Sequence, residues 1–225
     1  VYEMSELTPE EIYQRRVYAA YEDAADLISY HQPVDYITLR KWPSSMCQEL
    51  KIGTVISFQD FIEKMITRGY DRKFLSDIDI GRSIFNEGML IFSIKDSQGR
   101  VVGFAARDMA HSKASKKMKF INTSSKCPIY NKSRILYGLH IAKLTKMPVY
   151  IFEGYPDWVT AYKHGLKNVV AIGGTALTRE HVEILKSMGI KDCILALDGD
   201  DAGQGKIETL LDDYFGGDEG MRVRI

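Results

Sequence analysis

The sequence predicts an α/β chain in two parts: a mixed α+β region over residues 1–146, then an open parallel sheet with flanking helices over 147–225. Three observations carry that prediction. Apolar residues recur at helical spacing through the N-terminal part. Two strand-length runs joined by a turn signal then break that texture. From Met147 onward, short apolar runs alternate with helix-length segments, and the links between them suit only βαβ crossovers. With 225 residues, 45% of them hydrophobic, the chain can bury one large core or two small ones, and disorder is excluded.

The elements follow in order. Thr8-Pro9-Glu10-Glu11 reads as a helix start, with Thr8 as N-cap, Pro9 at the first helical position and Glu11 closing a capping box. That helix runs to about Tyr30, and Pro33 prevents its continuation. A short helix over 34–42 is interrupted by Pro43. Residues 57–68 form an amphipathic helix, with Phe58, Phe61, Ile62, Met65 and Ile66 on one side and Gly69 ending it. Strands over 89–94 and 101–105 flank the turn Asp96-Ser97-Gln98-Gly99, and Phe120-Ile121-Asn122 adds a third. Lys113, Lys116 and Lys117 read as solvated charges on a loop. In the second part, strands are expected at 149–152, 169–172, 192–197 and 221–225. Helices over 157–164, 178–188 (capped by Thr178) and 202–214 connect them.

Thirty basic and thirty acidic residues cancel, but they are not mixed. Between Arg100 and Lys146, eleven lysines and arginines stand against one acid, Asp108. Between Asp192 and Glu219, nine acids stand against Lys206. A basic stretch recruits phosphates, and clustered carboxylates recruit hard cations. Cys47, Cys127 and Cys193 are far apart, so neither a disulfide framework nor a zinc site in this chain is expected. No apolar run approaches the roughly 20 residues that cross a bilayer. No membrane partner and a reducing, cytoplasmic setting are therefore expected. An opening Val1 in place of methionine suggests a piece of something longer.

In an open parallel sheet, ligands gather at the carboxyl ends of the strands. Here those ends carry Glu153-Gly154, then Gly173-Gly174-Thr175, then Asp198-Gly199-Asp200. Asp157 lies four residues beyond Glu153. Carboxylates from separate strands thus converge on one edge, where like charges repel unless a cation offsets them. Oxygen donors without nearby His or Cys favour magnesium or manganese.

The segments Glu153-Gly154-Tyr155-Pro156-Asp157, Gly173-Gly174-Thr175-Ala176-Leu177-Thr178 and Asp198-Gly199-Asp200-Asp201-Ala202-Gly203 closely resemble a Toprim domain, a Rossmann-like fold. Pro156 is unusual within that pattern. Upstream, in order, come Gly103-Phe104-Ala105-Ala106-Arg107, Lys119-Phe120-Ile121-Asn122, Lys132-Ser133-Arg134 and Leu136-Tyr137-Gly138-Leu139. Together they resemble the polymerase core of DnaG-type bacterial or phage primases over about 89–203.

That resemblance implies template-directed synthesis of short RNA primers on single-stranded DNA from ribonucleoside triphosphates, by two-metal nucleotidyl transfer during replication. Glu153, Asp198 and Asp200 would hold the metals and act in catalysis, with Asp157 nearby. Arg107, Lys119, Asn122 and Lys132 would contact template and nucleotide phosphates, and Arg40 would be a basic contact from the helical region. Phe120 or Tyr130 would either stack on a base or serve the core. A replicative helicase would dock through regions absent from this stretch. The family's further acidic pair would fall beyond Ile225. A Toprim metal-dependent nuclease and a non-catalytic nucleic-acid-binding module stay open as alternatives.

Overall fold

The computed structural model describes residues 7–111, 118–174, 177–196 and 221–224. The helix expected over 202–214, the carboxylates Asp198 and Asp200, the loop lysines and Thr175-Ala176 lie outside them. The chain divides into two units, one of residues 1–94 and 100–130, the other of 95–99 and 131–225.

In the first unit, helix α1 (Pro9–Ser29) starts as its sequence dictates. The Thr8 hydroxyl accepts from the Glu11 amide at 3.2 Å, and the Glu11 carboxylate accepts from the Thr8 amide at 2.8 Å. The Thr8 amide and hydroxyl both donate to that carboxylate, which favours its ionised form and holds its pKa below the ordinary range. One face of α1 buries Val17, Ala20, Tyr21, Ala24, Ala25 and Ile28. Helices α2 (Val34–Leu39) and α3 (Ser44–Glu49) follow, then strand β1 (Ile52–Gly53), α4 (Phe58–Thr67) and α5 (Arg72–Asp77). The expected helix over 34–42 is thus shorter: it closes at Leu39, and Trp42 turns into the core at 3% exposure. Pro43 then stands at the start of α3.

Strands β2 (Met89–Lys95), β3 (Val101–Asp108) and β4 (Phe120–Asn122) complete a sheet in the order β1-β2-β3-β4. Tyr21 lies on Phe104 at 5.2 Å, Phe85 meets Phe104 edge-on at 4.9 Å, and Phe61 stacks on Phe85 at 4.5 Å. This run of rings ties α1 and α4 to β3. Each fully buried ring is worth roughly 1.5–3 kcal/mol over an exposed one. The Tyr21 hydroxyl donates to the Ile78 carbonyl at 2.7 Å, and burial raises its pKa far above the ordinary phenol value.

The second unit alternates as expected: β5 (Val149–Phe152), α7 (Tyr155–Lys163), β6 (Val169–Ala171), α8 (Arg179–Ser187), β7 (Asp192–Ala196) and β8 (Arg222–Arg224). A short 3-10 turn, Lys132–Arg134, and helix α6 (Leu139–Ala142) precede them. All the strand pairs are parallel, in the order β6-β5-β7-β8. The chain steps from β5 to β6 on one side, then crosses back to β7 on the other. The gap between the carboxyl ends of β5 and β7 is therefore the topological switch point. Val149, Ile151, Val170, Val182, Leu185, Cys193 and Leu195 form the core beneath it.

Candidate functional site

Glu153 is the first residue after β5, at that switch point, and is half-buried. Phe152 pairs in register with Ala196, the last described residue of β7, two positions before Asp198. The Glu153 carbonyl accepts from the Gly174 amide at 3.0 Å, and the Phe152 carbonyl accepts from Ile172 at 3.0 Å, so the loops after β5 and β6 are tied together. Gly173 and Gly174 have φ of +69° and +75°, a region that side chains disfavour, and a Cβ at Gly173 would strike the Tyr155 hydroxyl. The double glycine therefore fits this edge sterically.

Asp157 stands exposed in the first turn of α7, where a negative charge meets the helix dipole. Pro156 sits in that same turn, whose amides have no helical partner in any case, which accounts for its place within the motif. Of the four expected metal ligands, the described residues thus include Glu153 and Asp157. Both offer oxygen, a donor set that fits a hard divalent cation. Among the described residues no group of three acidic, His or Cys side chains gathers. Cys47, Cys127 and Cys193 are all buried thiols. Burial lifts the pKa of Cys47 to about 11 and that of Cys193 to about 12.

Lys132 belongs to the same unit. Its turn is held from both ends: Asn131 accepts from the Ser133 amide at 3.1 Å, and the Ser133 carbonyl accepts from the Thr178 hydroxyl at 2.8 Å. The Lys132 carbonyl lies 3.2 Å from Nε2 of His181. Because α8 begins after β6, Thr178 and His181 belong to the carboxyl edge of the sheet, and they anchor the lysine's backbone there. The Lys132 ammonium is half-buried, which lowers its pKa from the ordinary value.

His181 had no functional signal in the sequence. Its Nδ1 accepts from the Thr178 amide at 3.2 Å, so the ring's proton sits on Nε2 and is donated to the Lys132 carbonyl. Burial lowers its pKa, and that of His140 falls to about 4 through burial and the Lys95 ammonium. Both folded values lie below the unfolded 6.5. As pH falls below 6.5, the unfolded chain takes up protons that the native chain refuses. Stability is expected to be level above pH 6.5 and to drop toward pH 4. Urea melts of the parent and His140→Gln check this, and a parent curve flat from pH 7.5 to 4.5 would refute it.

In the first unit, Arg107 near the end of β3 is paired with Phe120, and Ala105 with Asn122. Directly paired residues share a face, so Arg107, Phe120 and Asn122 lie on one side of the sheet. The Arg107 guanidinium lies 5.4 Å from the Tyr36 ring centre and 5.5 Å from that of Phe120. Arg40 lies 5.7 Å from the same Tyr36 ring. Lys119 is exposed just before β4, with its carbonyl accepting from Asp108 at 3.3 Å. Arg40 and Arg107 thus meet on Tyr36, which the sequence did not single out, with Phe120 against Arg107 and Asn122 on the same sheet face. Tyr130 is buried, and a Cβ at Gly103 would press on its ring at 2.5 Å, a core position.

A mixed unit with a basic sheet edge, continuing into a Toprim-type parallel sheet with an acidic carboxyl edge, defines the class of this chain. Residues 21–143 match the family described as DNA primase catalytic core, N-terminal domain, and residues 148–225 match the Toprim domain. The chain belongs to the family of DnaG-type DNA primases. It is 34% identical over 186 residues to the DNA primase of Lactococcus lactis, covering 79% of this chain and 29% of that protein. It is 29% identical over 218 residues to that of Deinococcus radiodurans, covering 90% of this chain and 37% of the relative. The chain thus spans about a third of the length of these curated relatives. The crystal structure of the zinc-binding and RNA polymerase domains of Aquifex aeolicus primase matches with a TM-score of 0.81 at 24% identity, over 97% of this chain and 56% of that one. A DnaG primase catalytic domain bound to single-stranded DNA matches at 0.75 and 24%, over 91% of this chain and 68% of that one. At that identity these likenesses show the fold.

Proposed function

We propose that this chain is the catalytic core of a DNA primase, which builds short RNA primers on single-stranded DNA from ribonucleoside triphosphates. The observation that carries it is Glu153 at the switch point of a Toprim-type sheet, in a chain whose upstream half matches the primase core family. A Toprim fold alone would suit a nuclease equally well. The upstream family match favours the primase over both the nuclease and the binding module.

In this reading residues 147–225 serve the metals and residues 1–146 serve the template. Glu153, Asp157, Asp198 and Asp200 would hold two magnesium or manganese ions. When bound, those ions supply Lewis-acid activation of the primer 3′-hydroxyl and neutralise charge on the leaving pyrophosphate. Glu153 follows a strand end and its carbonyl is tied to the Gly174 amide, so its backbone is placed before substrate arrives. Lys132, fixed through its own carbonyl, directs its ammonium at a nucleotide phosphate. Arg107, Lys119, Asn122 and Arg40 bind the template backbone. Such contacts are to phosphate oxygens and make binding fall with salt. The chain works in the cytoplasm of a bacterial or phage-infected cell, beside a replicative helicase that docks through other segments of the full protein. Among the described residues no helix is long and apolar enough to cross a membrane.

The test is extension of an RNA primer annealed to single-stranded DNA with labelled ribonucleotides. Extension should require Mg²⁺ or Mn²⁺ and stop with chelator. Metal-dependent cutting of the template without extension would favour the nuclease. Salt-sensitive binding with neither activity would favour the binding module.

A further inference from the structure

Arg107 and Arg40 share a neighbour that carries no charge. Tyr36, half-buried on α2, has the Arg107 guanidinium 5.4 Å from its ring centre and that of Arg40 at 5.7 Å. Phe120 flanks Arg107 at 5.5 Å, and Trp42 meets Tyr36 edge-on at 5.9 Å, so the ring itself is braced. Among the described residues, no carboxylate forms an ion pair with either arginine. Nε of Arg107 is buried with no hydrogen-bond partner, as is the Tyr36 hydroxyl oxygen.

Two like charges on one ring have a chemical meaning. An aromatic face attracts a guanidinium through its quadrupole without consuming its N–H donors, which a carboxylate would do. Drawing two such groups toward one ring costs Coulomb repulsion, and an anion that meets both offsets that cost. The unmet Arg107 donor points the same way, because a buried N–H without an acceptor is unfavourable until one arrives.

We propose that Tyr36 is a positioning residue of the template interface: it presets the guanidiniums of Arg40 and Arg107 as a pair for one stretch of phosphodiester backbone. This rests on the template-binding reading above and adds a neutral residue to it. Preset donors lose less rotamer freedom on binding than free ones, and an uncharged side chain thereby controls a charge-driven interaction.

The experiment measures the affinity of the chain for an oligo-dT strand by fluorescence anisotropy at several salt concentrations. It compares the parent with Tyr36→Phe, Tyr36→Leu and Arg40→Ala/Arg107→Ala, each checked for its melting temperature. Each phosphate contact on a single strand contributes about 0.7 to the slope of log K against log salt. Tyr36→Leu, which keeps apolar bulk but no ring, should weaken binding about tenfold or more. It should also lower the slope by about 0.7 to 1.4, although no charge is removed. Tyr36→Phe should match the parent, since the ring remains and the removed hydroxyl has no partner. Adding Tyr36→Leu to the double arginine variant should change nothing further.

A folded Tyr36→Leu variant with the parent's slope would overturn the inference, as would Tyr36→Phe failing to restore it. A lower melting temperature with an unchanged slope would also overturn it, by showing a packing role alone. A parent chain with no salt-dependent binding would instead sink the template-binding reading, and this inference with it.

Discussion

Replacing Glu153 by Gln is expected to cut primer extension at least about a thousandfold while leaving the chain folded. A single preorganised electrostatic group at a reacting centre is worth on the order of 10²–10³ in rate, and on the proposed reading Glu153 would reach the upper end as a metal ligand. A thousandfold corresponds to about 4 kcal/mol of transition-state stabilisation. The fold should tolerate the change for a local reason. The side chain follows β5 at a half-buried position, and the bonds that organise this edge run through the backbone, from Gly174 to the Glu153 carbonyl and from Ile172 to that of Phe152. Gln keeps the shape and removes one negative charge from a half-buried position, so the melting temperature should hold or rise slightly. Extension is measured against metal concentration, where a ligand's loss also moves the requirement to higher metal. A loss of less than tenfold with an unchanged metal curve would take Glu153 out of the metal site.

Particular residues show how much of this is legible in the sequence. The parallel half was, because its signals are local: each apolar run has strand length, and Thr178 caps its helix through neighbours three residues away. Glu153 was legible as well, since a carboxylate after a strand of an alternating α/β pattern falls at the sheet's carboxyl edge by topology alone. Strand β1 was not. Ile52-Gly53 is too short to show a period, and it exists only because Phe92 and Ile91 lie opposite. Nor was Tyr36, one aromatic on a short helix whose importance comes from Arg107 and Phe120, far along the chain. Nothing in the sequence marks His181. Its role appears only when the Lys132 carbonyl is beside it. Tyr36 and His181 share one cause: a residue that acts by holding another carries no signature of its own.

The Leu136-Tyr137-Gly138-Leu139 segment makes the same point on the stability side, and Gly138→Ala is the second large effect expected. Tyr137 bonds Ala171 through both backbone groups, at 2.9 and 3.0 Å, closing the outer edge of β6. Immediately afterwards Gly138 turns into α6 with φ of +83°. A Cβ at that glycine would run into the Trp158 indole at Nε1. Trp158 has no room to yield. It is 1% exposed, its Nε1 donates to the Val169 carbonyl at 2.7 Å, and Tyr137 and Tyr162 lie against it at 4.9 and 5.0 Å. The left-handed backbone costs a side chain about 1–2 kcal/mol, and overpacking a rigid core adds about 1–3 kcal/mol. Their sum, about 2–5 kcal/mol, should lower the melting temperature of this unit of about 100 residues by roughly 8–40 °C. A double-mutant cycle separates the two contributions. Trp158→Phe trims the ring where the new methyl would strike, so the pair should recover at least about 1 kcal/mol relative to additive losses. The residue of destabilisation that remains belongs to the backbone angle. Additive losses would mean that the methyl never meets the indole, and Gly138 would then be required for its φ alone.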